Sequence, residues 1–253
     1  MKRAFWLAFG VLTQGLFLVT VWRLFPFLRG GNHFHGLLTP VPGASAAWFV
    51  TDGLLAVQFA TIHSVLLLPS VRSALVRRVP QALYGSVFSV ATCVCLLLVM
   101  ETWQPCAGAV WRLSGPVAWL VELAFLVSWG ALIYSLWLTG FGYQTGLAPW
   151  WAWVRRQEMP RRGFKPRGAY LVLRHPVYLS FLGLIWFNPL MTFDRMLLAL
   201  AWSAYIFIGS CLKDRRLVYY MGERYRDYQR HVPAYPFIPY GPLGKLQARK
   251  TGV

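Results

Sequence analysis

The sequence predicts an all-α protein that crosses a lipid bilayer several times, and three observations predict it. Of 253 residues, 57% are hydrophobic and only 13% are charged, against roughly 25% charged residues in an ordinary soluble domain. So few charges could not cover the surface of a soluble particle of this size. Aromatic residues make up 17% of the chain, which excludes intrinsic disorder because such a chain collapses. The apolar residues fall in continuous runs, not in the alternation of a membrane β-barrel, so the spanning elements are helices.

Four runs are long enough to span: Ala4–Trp22, Ala46–Leu68, Gln81–Met100 and Pro116–Leu138. Each reaches the ~20 residues that cross ~30 Å of hydrocarbon at ~1.5 Å rise per residue. The first follows Lys2-Arg3 but has no small-x-small cleavage site before Arg23, so it reads as a retained helix and not a signal peptide. A fifth apolar region, Val177–Leu212, is too long for one span. Asn188-Pro189 and Asp194-Arg195 interrupt its middle, which predicts two short helices folded as a hairpin. The expected total is about six spans. Residues 1–138 form a four-helix membrane region, and residues 139–253 supply a loop, the hairpin and a C-terminal lid.

Basic residues set the orientation, because they are retained on the cytoplasmic side. An N-terminus inside leaves 21 of the 25 Lys and Arg on the inner side, with only Arg23, Arg29, Arg112 and Arg195 outside. Both termini are therefore expected in the cytoplasm. The net charge of +17 is accounted for by topology and contact with lipid headgroups, and calls for no nucleic acid. Asp52, Glu101 and Asp194 fall near the outer interface. Glu122 lies inside the fourth span, where an acid either faces the bundle interior or, with a small shift of the span, reaches the interface.

The loop Thr139–Arg174 carries Trp150, Trp151 and Trp153 and then a basic run, a pattern suited to lying on an anionic membrane surface. From Lys213 the last helix continues out of the membrane. It is expected to stop near Gly222, followed by a short helix and a strap beginning at Val232-Pro233. This segment either folds back as a lid or remains a solvated, charge-paired tail. Cys93, Cys95, Cys106 and Cys211 include no C-x-x-C pair and read as inert core residues. His33 and His35 lack a third ligand, so no metal site is expected.

Two groups of residues could carry chemistry. His63, with Ser64 and Gln58 nearby in the second span, could touch an acceptor or shuttle its proton, or simply hydrogen-bond within the bundle. Arg174-His175-Pro176-Val177-Tyr178 stands where the basic loop meets the hairpin. Pro176 suits the first turn of a helix, whose free N–H groups attract an anion. Arg174 adds a cation suited to a carboxylate, and His175 titrates near neutral pH. The same residues would also serve as an interfacial anchor, Arg for lipid phosphate and Tyr for the aromatic belt. A soluble-type nucleotide fingerprint is missing, since Gly140–Gly146 has the wrong spacing and no preceding strand.

Taken in order, Gly168-Ala169-Tyr170, Arg174-His175-Pro176-Val177-Tyr178, Gly222-Glu223-Arg224-Tyr225 and Val232-Pro233 resemble the signature of isoprenylcysteine carboxyl methyltransferase-type integral membrane methyltransferases. His63-Ser64, Trp186–Thr192 and Ala204-Tyr205-Ile206 narrow the resemblance to bacterial methanethiol S-methyltransferases and the NnrU-like proteins grouped with them. The resemblance implies a multi-pass protein of the bacterial inner membrane with S-adenosylmethionine as methyl donor. The donor site would map onto Arg174, His175, Pro176, Tyr178, Asp214 and Tyr225, with His63 and His175 as catalytic candidates. It implies a small or lipophilic thiol as acceptor, with methanethiol the leading candidate. The pattern departs at Lys213-Asp214, where relatives carry two adjacent glutamates, and at Ser180, where relatives often have Gly. Methyl transfer from a sulfonium needs alignment, desolvation and a deprotonated acceptor, but no metal. The alternative is a non-enzymatic NnrU-like membrane protein, a transporter or an assembly factor for respiratory enzymes.

Overall fold

A computed structural model describes residues 2–30, 48–106, 108–159 and 163–246. His33 and His35 lie outside the described residues. The bundle is built from α1 (Lys2–Arg29), α2 (Trp48–Leu66), α3 (Pro69–Val76), α4 (Tyr84–Thr102), α5 (Gly115–Thr139), α6 (Phe141–Gln144), α7 (Leu147–Val154), α8 (Pro176–Trp186), α9 (Phe193–Met221) and α10 (Glu223–His231). Two short strands, β1 (Ala109–Arg112) and β2 (Leu190–Thr192), pair antiparallel.

Five of these helices are long and apolar enough to cross a membrane: α1, α2, α4 (counted from Gln81), α5 and α9. Their outward faces carry exposed large apolar side chains such as Leu12, Trp22, Leu54, Trp119 and Ile208, as expected where lipid is the solvent. The expected hairpin of two short helices is revised. Its first arm, α8, has 11 residues and covers about 16 Å, half the hydrocarbon thickness. Its second arm, α9, runs 29 residues without a break, because the Leu212-Lys213 boundary carries no helix breaker and the helix simply leaves the apolar zone. Gly222, at φ 61°, ends it in a left-handed conformation that favours glycine. Likewise α1 extends through Pro26 to Arg29, beyond the expected end at Trp22.

At the turn between α8 and α9, the strand pair replaces an open loop. Trp111 Nε1 donates to the Asn188 carbonyl at 3.0 Å, tying the α4–α5 connection to the hairpin. The acids expected at this end gather there with partners. Asp194 accepts from Trp103 Nε1 (3.0 Å) and from the Cys106 amide (3.1 Å), and Asp52 accepts from the Gln104 amide (3.1 Å). Arg23 pairs with Glu101 at 2.7 Å, and Glu122 pairs with Arg29 at 2.7 Å. Each acid is thus neutralised or hydrogen-bonded, which is what a low-dielectric surrounding demands.

The core lies where α1, α4, α5, α8 and α9 meet and includes Phe27, Val99, Met100, Phe125, Leu184 and Leu198. Trp150 departs from the expected interfacial role. It is buried over Gly10 of α1 and donates Nε1 to the Trp6 carbonyl at 3.2 Å, while Trp151 stays exposed. Cys93 and Cys95 are buried, but Cys106 and Cys211 are only partly so.

Candidate active site at the α8–α9 junction

Asp194 and Asp214 stand twenty residues apart on α9, which separates the acidic turn from the second polar centre by about 30 Å. That second centre is organised by Asp214, itself buried. Its Oδ1 accepts a 2.6 Å hydrogen bond from the Tyr225 hydroxyl and lies 3.1 Å from His175 Nε2. Its Oδ2 lies 3.0 Å from an Arg174 guanidinium nitrogen. Three expected residues, drawn from the α8 N-terminus and from α10, thus converge on a fourth from α9. The His175 contact is close without being an aligned hydrogen bond, and both its ring nitrogens lack an aligned partner.

Local structure explains the convergence. His175 precedes α8 at its N-terminus and accepts from the Tyr178 and Leu179 amides at 3.0 Å, while Pro176 occupies the first turn as expected. The His175 ring stacks on Tyr178, one helical turn on, with centroids 5.2 Å apart. The Gly222 turn then swings α10 back so that Tyr225 reaches Asp214. Ser180 returns its hydroxyl to the Pro176 carbonyl at 2.9 Å, within its own helix.

Arg174 has a different employment from the expected open cation. It is fully buried, and its two terminal nitrogens reach the carbonyls of Gln229, Val232, Pro242 and Gly244 at 2.8–3.2 Å. Its amide also donates to the Pro233 carbonyl at 2.8 Å. One guanidinium therefore ties the strap carbonyls of Val232, Pro242 and Gly244 and the α10 carbonyl of Gln229 together beside the Asp214 centre. Planar five-donor geometry suits this task in a way an ammonium cannot match.

Electrostatics follow from this burial. The His175 imidazole is held below its usual range, chiefly by burial, with Lys213 and Arg174 acting in the same direction and Asp214 opposing. It is neutral at pH 7. The Tyr225 phenol is pushed far up by burial and by the Asp214 carboxylate, so it remains a donor. Tyr235, on the strap, is pushed up to about 12 by burial; its hydroxyl is 2.5 Å from Ser210 of α9, and its ring lies 6.2 Å from that of His175.

His63 occupies a separate place on α2. Its Nδ1 is 3.4 Å from the Thr92 hydroxyl, and its ring is surrounded by Phe59, Phe88 and Tyr205. No described contact joins it directly to His175. A shallow apolar groove of about 530 Å³ runs along the other side of α8, between α8 and α5, lined by Val127, Ala131, Leu179, Leu182 and Trp186 among others. The Tyr235–Ser210 pair was not foreseeable from motif reading, since neither residue belongs to a recognisable string. No group of His, Cys, Asp and Glu among the described residues could hold a metal ion.

Comparison with known proteins now bears on this geometry. The chain is 30% identical to a methanethiol S-methyltransferase of Pseudomonas sp. (strain GM41(2012)) over 230 residues, 85% of this chain and 84% of that protein. It is 32% identical to methanethiol S-methyltransferase 2 of Bradyrhizobium diazoefficiens over 71% of this chain and 70% of that protein. The chain belongs to the methanethiol S-methyltransferase family of membrane proteins. It is also 31% identical to Nurim of Rattus norvegicus over 247 residues, 89% of this chain and 91% of that protein. No family model and no solved structure matches it.

Proposed function

We propose that this family member is an S-adenosylmethionine-dependent membrane methyltransferase that methylates a small thiol, methanethiol to dimethyl sulfide being the first pair to test. The observation that carries this reading is the Asp214 centre: a carboxylate held by Arg174, His175 and Tyr225 beneath a clamped strap. The donor fits it in one testable respect. His175 Nδ1 is a buried polar atom without a hydrogen-bond partner, the kind of atom that a bound ligand's polar group satisfies.

Here His175, Pro176 and Tyr178 line the donor. Asp214 and Tyr225 hold His175 in place. Arg174 acts as a positioning residue, keeping the strap closed and water out. When bound, S-adenosylmethionine supplies an electrophilic methyl on a sulfonium, so the protein's task is alignment and exclusion of water. His63, on α2, is the candidate to receive the acceptor's proton. The basic end of the bundle faces the cytoplasm of a bacterial inner membrane, and a small lipophilic thiol arrives through the bilayer.

The second reading, a non-enzymatic NnrU-like protein, is favoured by Lys213, a cation where an acid is expected. One experiment separates them. The protein is purified in detergent and titrated with S-adenosylmethionine by calorimetry, and volatile products are followed with hydrogen sulfide and methanethiol supplied. Binding together with a volatile methyl sulfide supports the enzyme. No binding at millimolar donor refutes it.

A further inference from the structure

Beside the Asp214 centre lie two cations that it does not use. Lys213 and Arg216 are three residues apart on α9 and so share one face of that helix with Gly209 and Tyr205. The Lys213 ammonium lies 4.9 Å from the centroid of Tyr178, the ring that stacks on His175. Arg216 is half-buried.

Neither cation meets a carboxylate within ion-pair distance among the described residues. Asp214, the adjacent acid, turns its oxygens to Arg174, His175 and Tyr225. Like charges at this spacing repel each other, and the low dielectric of a bundle enlarges that cost. A shared anion would remove it. The face beside them is open: a Cβ added at Gly209, one turn before Lys213, would meet no heavy atom within 4 Å.

We propose that Lys213 and Arg216 form an anion-binding subsite beside the Asp214 centre, which takes the carboxylate of the donor's amino-acid tail or the sulfur anion of the acceptor. The proposal rests on the methyltransferase reading. It gives Lys213 a purpose: a cation at this position recognises an anion. With Asp214 committed elsewhere, positive charge is what this face of α9 has left to offer a ligand.

The test compares wild type, Lys213→Gln, Arg216→Gln and the charge-keeping Lys213→Arg in detergent. Calorimetry measures affinity for S-adenosylmethionine and for its decarboxylated analogue. Thermal unfolding is followed with and without hydrosulfide, a bare sulfur anion that needs no donor. If the donor's carboxylate is the ligand, each Gln variant loses about tenfold in affinity for S-adenosylmethionine, the worth of one charge-assisted contact. Affinity for the decarboxylated analogue then stays level. If the acceptor's anion is the ligand, donor affinity holds and the stabilisation by hydrosulfide disappears in both Gln variants. In either case Lys213→Arg behaves as wild type, and the Gln variants without ligand melt no lower, since a repulsion has been relieved. Unchanged donor affinity together with unchanged hydrosulfide response overturns the subsite. So does a lower melting temperature in both Gln variants with ligand binding intact, which marks structural cations. A wild type that binds no donor refutes the methyltransferase reading, and the hydrosulfide measurement then decides the subsite alone.

Discussion

Replacing Arg174 by lysine keeps the charge and removes the geometry. The guanidinium reaches four strap carbonyls and lies 3.0 Å from an Asp214 oxygen. The guanidinium makes three of these contacts from one nitrogen and two from the other, whereas lysine has a single nitrogen, so at least two of the five contacts are lost. At about 1.5–3 kcal/mol for each hydrogen bond to a charged group, the strap is destabilised by at least about 3 kcal/mol. Opening of the strap then becomes roughly 100-fold more frequent, at 1.4 kcal/mol per decade. Hydrogen exchange reads this directly at three amides: residue 174 (to the Pro233 carbonyl), Tyr235 (to Leu243) and Leu246 (to Gln229). All three should lose protection together, while amides within α4 and α5 keep theirs. Protection within threefold of wild type at the three strap amides would refute the clamp. Donor affinity is the companion readout, and it should fall because the strap no longer excludes water.

Three further outcomes are expected. His175 is buried and neutral, with its folded-state value depressed below the ordinary 6.5, so the unfolded chain binds the extra proton first. Stability is therefore level above about pH 6.5 and declines as pH falls below it; His175→Gln should flatten that part of a melting-temperature profile, and an unchanged slope would place the titration elsewhere. Tyr225→Phe removes the 2.6 Å donor to Asp214 and should cost about 1.5–3 kcal/mol in denaturant unfolding, which a loss under 0.5 kcal/mol would contradict. Gly146 begins α7 at φ 76°, and a Cβ there would lie 2.4 Å from the Ser86 amide nitrogen. Gly146→Ala should therefore lower the melting temperature by several degrees. Gly53→Ala, in open space, serves as the control that should not.

Much of the bundle was legible in the sequence because lipid imposes a simple rule. A helix that crosses hydrocarbon must be apolar over ~20 residues, and α2, α4 and α5 fall close to their expected limits. Where two environments meet, the rule loses its hold. α1 continues past its expected end at Trp22 and stops only at Gly30 (φ 73°), whereas the passage of α9 from Lys213 to its stop at Gly222 follows the sequence expectation. Trp150 shows the same difficulty: beside arginines it reads as a lipid anchor, yet the bare backbone of Gly10 gives it a slot in the interior.

In the candidate site, residue identities were readable and their partnerships were not. Arg174, His175, Tyr178, Asp214 and Tyr225 stand out as polar and aromatic residues at a membrane boundary. Composition and continuous apolar runs determined that this chain is a helical membrane protein, and the motif resemblance directed attention to the α8 N-terminus. Only the tertiary structure decided that Arg174 is consumed by the strap while Lys213 and Arg216 are not. The reason is physical. A residue's charge is a property of the residue, but which opposite charge or carbonyl satisfies it depends on segments 40 to 70 positions away, such as Asp214 and Gly244, brought into reach by the α8–α9 turn and the reversal at Gly222.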